Sequence, residues 1–315
     1  MSSELARESA REESAREPAR RDARGLPPII FVLAAALLWS TGGLFIKATP
    51  LGALELSFGR SLLAAVTVAV LTRREGYRLN AVTLVASALY AGLLLLFVMA
   101  NKLTTAANAI FLQYTAPVYV LVLEPLVFKE RFRLADFFVV IACVAGISLF
   151  FIGKLRPQDV EGNLTALGSG VCFALFLLLL RHQRESAANR ASSVIYGNLI
   201  ICAVTATAFA RAAGSLTVRD VLLVSYLGVV QVGLAYTLFT LGIARGVRSL
   251  DAGVVGYIEP MLNPVWVFLF LDERPSKWAV LGGCIIIAAV VAHTVVLARR
   301  AKTRDGNKEA VGARL

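Results

Sequence analysis

The sequence predicts an all-α integral membrane protein: ten transmembrane helices arranged as two inverted five-helix repeats around a central cavity. Three observations carry that expectation. The 315-residue chain is 57% hydrophobic and only 17% charged, with a mean hydropathy of +0.71, well outside the range of soluble domains. Its charges avoid ten apolar stretches that approach or reach the roughly 20 residues a helix needs to cross about 30 Å of hydrocarbon. Two passages 143 residues apart also match. One runs Tyr114-Thr115-Ala116-Pro117 and then Lys129-Glu130-Arg131; the other runs Tyr257-Ile258-Glu259-Pro260 and then Asp272-Glu273-Arg274. Over residues 102–131 against 245–274, seven of thirty positions are identical without a gap, so the chain reads as an internal duplication.

In chain order, residues 1–27 repeat a Ser-Ala-Arg-Glu theme in which six Arg balance six acidic residues. Too few apolar side chains are present there to bury a core, so the segment reads as a disordered cytoplasmic tail. It is not a secretory signal, because the first apolar run is a full span with no cleavage site after it. The spans fall near 28–47, 51–71, 81–99, 104–128 and 134–153 in a first repeat covering 28–153. After a polar linker at 154–162, a second repeat covering 163–298 holds spans near 163–180, 192–210, 220–243, 249–271 and 276–298. Lipid cannot satisfy free backbone N–H and C=O groups, so these spans must be helical. A basic cytoplasmic tail, 299–315, closes the chain.

The net charge of +11 does not point to nucleic acid, because topology explains it. With both termini inside, Lys and Arg number 23 in the inside segments and 8 in the outside loops, Arg60 within a span completing the 32. That asymmetry follows the positive-inside rule and implies ten spans with both termini cytoplasmic; an inner or plasma membrane is the expected location. Five spans per half is an odd number, so the second half enters from the opposite side. Inverted halves create a site near midplane between them and a mechanism, since exchanging their conformations turns inward-open into outward-open.

Two five-helix repeats, Trp39-Ser40-Thr41-Gly42 near the middle of the first span and Gly59-Arg60-Ser61 in the second resemble the EamA-type drug/metabolite transporters. The fourth and ninth spans fit as well, each with a mid-span proline and a terminal Glu-Arg. The resemblance covers about 28–298. It implies a ten-helix basket moving small metabolites, often amino acids and commonly outward, as in bacterial amino-acid and metabolite exporters. The second half departs from the first: Phe173 aligns with Trp39, and Asn198 with Arg60.

Several residues are candidates for the cavity. Pro117 and Pro260 each remove a helix hydrogen bond and free a carbonyl, which marks them as paired hinges or as static kinks. Tyr114 and Tyr257 precede them by three residues on the same face and need hydroxyl partners. Asn108 and Gln113 add polarity to the fourth span and Asn263 to the ninth. Glu259 lies about ten residues into the ninth span. An uncompensated charge there costs at least about 2.5–3.5 kcal/mol, so it must be protonated, paired or facing water, and it opens a route to proton coupling or to a substrate ammonium. Arg60 could hold a substrate carboxylate as a bidentate fork or pair with Glu124. Trp39, Ser40, Tyr90, Gln231 and Tyr236 complete the lining.

Other chemistries lack their residues. Cys143, Cys172, Cys202 and Cys284 all fall in apolar spans without a C-x-x-C pair, implying no disulfide, metal or cofactor. No P-loop, H-E-x-x-H or G-x-S-x-G motif is present. A membrane-embedded enzyme would need a cluster of catalytic polar residues, and a channel a charged ring or filter; neither is visible. A receptor would be expected to carry a folded soluble domain. The expected partners are a small-molecule substrate and the lipid bilayer; oligomeric state, coupling and direction of transport stay open, uptake or facilitated diffusion included.

Overall fold

A computed structural model describes residues 27–74, 76–116, 118–120, 122–123, 134–149, 152, 157–182, 188–245, 247, 255–256, 258–289, 291–292 and 295. The predicted tails, Glu124, the Glu130-Arg131 pair, Pro117 and Tyr257 lie outside them. Among the described residues all regular structure is helical. Six helices are long and apolar enough to cross a membrane: Pro28–Ala48, Ala53–Thr72, Ala81–Leu103, Asp159–Leu179, Ala191–Ser215 and Val218–Gly242. Two shorter apolar helices follow at Ile258–Leu271 and Lys277–Ala289. Val66, Val70, Leu84, Val204, Leu222 and Phe270 are more than half exposed. Outward apolar faces of that extent require a lipid surround, so the chain is a multi-pass membrane protein.

The first span is two helices, α1 (Pro28–Ser40) and α2 (Gly42–Ala48), parted at Thr41. The break has a local cause. The Ser40 and Thr41 hydroxyls each donate 2.7 Å bonds to the carbonyls of Leu37 and Leu38, which competes with the helical ladder, and Gly42-Gly43 follows. The next helices are α3 (Ala53–Thr72) and α4 (Ala81–Leu103). Asn80 caps α4 by accepting from the Thr83 N–H at 2.7 Å. Within the predicted fourth and fifth spans lie α5 (Ala106–Gln113) and α6 (Leu134–Leu149).

The second half opens with α7 (Pro157–His182) and α8 (Ala188–Ala212). Helix α7 begins at Pro157 rather than near 163, with proline in its first turn and Asp159 beside the positive helix end, both favourable there. The predicted eighth span is α9 (Val218–Ser225), a nine-residue π-helix (Tyr226–Leu234) and α10 (Ala235–Ala244). Helices α11 (Ile258–Leu271) and α12 (Lys277–Ala289) complete the described chain.

Packing interleaves the halves. Helix α4 lies along α7, and α8 along both α3 and α4; α10 packs on α1, and α11 on α1, α2 and α5. Two apolar cores result, one around Ile46, Leu56, Ile110, Leu112 and Leu227, the other around Val68, Tyr90, Phe176 and Val194. Gly228 and Gly233 bring the π-helix onto α3: a Cβ at Gly228 would lie 2.7 Å from the Arg60 carbonyl oxygen. Tight approach through small residues is how helices associate where lipid already satisfies apolar side chains.

Candidate functional site

The α1–α2 break is where polar groups of both halves meet. Trp266, on α11, donates its indole N–H to Ser40 Oγ at 2.9 Å. Thr41 Oγ1 and Tyr226 Oη share a hydrogen bond of 3.1 Å, and Gln231 of the π-helix donates from Nε2 to the Trp39 carbonyl at 3.4 Å. Trp39 also packs on Phe239, ring centroids 5.3 Å apart. Gly42 and Gly43 make room for the amides: a Cβ at Gly42 would lie 2.8 Å from Gln231 Nε2, and one at Gly43 only 2.1 Å from Asn263 Oδ1. Asn263 is fully buried, yet both polar atoms of its side chain lack a partner among the described residues, as does Gln231 Oε1. Buried amides left open in this way are binding groups awaiting a partner or a standing cost of about 1–3 kcal/mol each. An apolar cleft of about 450 Å³ lies on the other side of Thr41 and Trp266, lined also by Leu44, Phe45, Ala48, Phe270 and Leu271; neither amide lines it, and the exposed Phe270 opens it outward.

A second cross-half contact involves Tyr114 and Glu259. Tyr114 Oη lies 2.7 Å from Glu259 Oε2 and 3.2 Å from the Gly256 carbonyl. Gly256 lies just ahead of α11, whose first turn holds Pro260, so the tyrosine hydroxyl reaches the entry to that helix. The hydroxyl has one proton for two acceptors. A protonated Glu259 donates to the tyrosine oxygen and leaves that proton for Gly256; an ionised Glu259 draws the proton to itself. The pair can therefore register the arrival or loss of a proton.

Arg60 is 1% exposed, and its Nε and Nη2 have no hydrogen-bond partner among the described residues. Tyr90 lies beside it, next to Asn198 of α8, with the open hydroxyls of Ser57 and Ser61 on the same helix. The Glu55 carboxylate turns back toward Gly52 instead.

The remaining predicted residues tie spans together. Asn108 donates from Nδ2 to Asn163 Oδ1 at 2.9 Å and to Thr104 Oγ1 at 3.1 Å, and Gln113 donates to Ser169 Oγ at 2.9 Å. Both reach α7 and read as inter-span braces. Tyr236 packs against the second core. Pro260 sits in the first turn of α11, and the proline inside that helix is Pro264. Thus Trp39, Ser40, Gln231 and Asn263 come together, as do Tyr114 with Glu259 and Arg60 with Tyr90. Trp266, Thr41, Tyr226 and the Gly42-Gly43 pair are additions; the tryptophan three residues after Asn263 was the available signal. Among the described residues no cluster of three or more His, Cys, Asp or Glu could hold a metal ion.

The model of the EamA-like transporter family matches residues 26–152 and 160–294. The chain is 28% identical over 263 residues to the uncharacterized transporter YwfM of Bacillus subtilis, covering 79% of this chain and 88% of that one. It is 27% identical over 220 residues to the threonine/homoserine exporter RhtA of Escherichia coli K12, covering 68% and 71%. The pseudopaline exporter CntI of Pseudomonas aeruginosa is 23% identical over 277 residues, covering 84% and 94%. One solved crystal structure, 20% identical, superposes on 87% of this chain and 98% of its own with a TM-score of 0.62, which shows a shared fold.

Proposed function

The chain belongs to the EamA-like transporter family, and on that premise we propose that it is a secondary exporter of amino acids or related small metabolites. In this reading ten helices form two inverted repeats in an inner or plasma membrane, both termini cytoplasmic, and alternate access to a site between the halves. The carrying observation is the junction at the α1–α2 break, where Ser40, Gln231, Asn263 and Trp266 of opposite halves converge beside an apolar cleft. A broken span exposing polar backbone and side chains between repeats is how transporters build a midplane site.

At this junction the open amides of Gln231 and Asn263 take the substrate's polar groups. Arg60 takes a carboxylate, which would supply the acceptors its guanidinium lacks; the π-helix bearing Gln231 rests, through Gly228, on the Arg60 backbone. Tyr114 and Glu259 couple a proton to the movement of the halves. Exporters of threonine, homoserine and pseudopaline among the relatives support an amino-acid-like solute and outward movement.

The test is counterflow in proteoliposomes preloaded with a panel of amino acids and other metabolites, comparing wild type with Glu259→Gln. The expected result is saturable, solute-specific exchange in both, with pH-driven accumulation lost only in the variant. Failure of every solute to exchange with folded protein would refute the carrier; accumulation intact in the variant would refute the coupling.

A further inference from the structure

At the ends of α2, α4 and α5, one carboxylate ties the halves together. Helix α11 ends at Asp272, which adopts φ +51°, and the turn carries Glu273 back over the first half. Glu273 Oε2 lies 2.9 Å from Lys47 Nζ at the end of α2. Its Oε1 accepts the backbone N–H of Ala106, the first residue of α5, at 2.7 Å. Lys47 also donates to the Thr104 carbonyl at 2.7 Å, where α4 has ended, and Lys102 donates to the Thr49 carbonyl at 2.7 Å. The three ends of α2, α4 and α5 are thus gathered under one side chain of the other half.

This is not an ordinary surface pair. The Lys47 and Glu273 side chains are 20% and 24% exposed, whereas neighbouring Asp272 and Arg274, 3.4 Å apart, are 78% and 76% exposed. Exposed pairs are largely screened, whereas a half-buried carboxylate with both oxygens engaged holds its position. The sequence repeats the charges. Glu130 stands 143 residues before Glu273, as Lys102 does before Arg245; Arg181 stands 134 residues after Lys47, as Phe173 does after Trp39.

We propose that Lys47, Glu273 and the Ala106 N–H form the latch that holds this mouth, the outer one in the topology above, shut. The inference rests on the reading of the chain as an alternating-access carrier. Opening the mouth parts α2 and α5 from the turn after α11, so the latch must break once in each cycle. Glu273 belongs to the duplicated Glu-Arg motif, and that motif acquires a role: it supplies the closing charge at a helix end.

The test uses the full chain with its four cysteines replaced and a single reporter, Ser40→Cys, buried at the junction. A membrane-impermeant maleimide is applied from the outer side of oriented proteoliposomes without substrate. Glu273→Gln and Lys47→Met should each raise the labelling rate about fivefold or more, what one to two kcal/mol of lost closure delivers. The swap Lys47→Glu with Glu273→Lys should lower it again, and Asp272→Asn should leave it unchanged. In a separate chain, joining Lys47→Cys to Glu273→Cys with a bis-methanethiosulfonate cross-linker that spans the lost side-chain length should stop counterflow, and reduction should restore it. Unchanged labelling in both single variants, from monodisperse protein, would make the pair a static brace and overturn the latch. Labelling is read without transport, so the latch can fail while counterflow stands, and the reverse.

Discussion

Gly43→Ala tests the junction by adding one methyl group. An added Cβ would meet Asn263 Oδ1 at 2.1 Å, Cγ at 2.9 Å and Nδ2 at 3.0 Å. Restoring ordinary contact needs the fully buried Asn263 amide, or α2 itself, to shift by about 1 Å. Overpacking of that kind costs about 1–3 kcal/mol. Alanine returns up to about 1 kcal/mol through its higher helix propensity in α2. The net loss is then about 0–2 kcal/mol, too narrow to decide the matter alone. The decisive quantity is the coupling: in an Asn263→Ala background the clash vanishes and only the propensity gain remains. The two substitutions should be non-additive by about 1–3 kcal/mol in equilibrium unfolding in detergent. Gly214→Ala, with nothing within 4 Å of its Cβ, is the control. An equal effect of Gly43→Ala in both backgrounds would refute the packing of α2 on α11 and the site built on it.

Three further outcomes follow from the same contacts. Tyr114→Phe should leave exchange running but weaken its pH dependence, and combined with Glu259→Gln it should add little, since both remove one hydrogen-bonded unit; additive loss in counterflow would separate them. Asn163→Ala takes the acceptor from the Thr104 hydroxyl and one of the two acceptors from Asn108 Nδ2, which keeps Thr104 Oγ1, and should cost about 1–3 kcal/mol of unfolding free energy, with substrate half-saturation unchanged. Arg60→Lys keeps the charge but loses the fork. Amino acids should then lose some thirtyfold in half-saturation, about 2 kcal/mol, while the corresponding carboxamides are unaffected; equal losses for both would remove the carboxylate contact.

Much of this was legible in the sequence because hydropathy and charge act locally. Apolar length located the spans, and six of them stand as helices of sufficient length. The duplicated Tyr-x-x-Pro singled out Tyr114, whose hydroxyl reaches Glu259 and the Gly256 carbonyl of the other half. What escaped the sequence depends on partners distant along the chain. The π-helix at Tyr226–Leu234 has no proline or glycine pair to announce it; it sits where Gly228 and Gly233 press onto α3. Trp266 is one aromatic among many in an apolar run, and only the fold sets its indole N–H on Ser40. Pro264, the proline inside α11, carries no repeat signal, because Leu121 aligns with it. Asn108 and Gln113 looked like cavity residues, since polarity within a span does not say whether it faces a ligand or another helix.

Two of the three tryptophans, Trp39 and Trp266, lie at the junction, and the third, Trp278, is exposed. Replacing Trp278 with Phe therefore leaves fluorescence that reports on the proposed site alone. The most direct measurement is titration of that variant with the solute that exchanges fastest in counterflow. A saturable change, with a midpoint equal to the transport half-saturation and lost in Asn263→Ala, is the predicted result. A solute that exchanges normally yet leaves both tryptophans unmoved would contradict binding at the α1–α2 break.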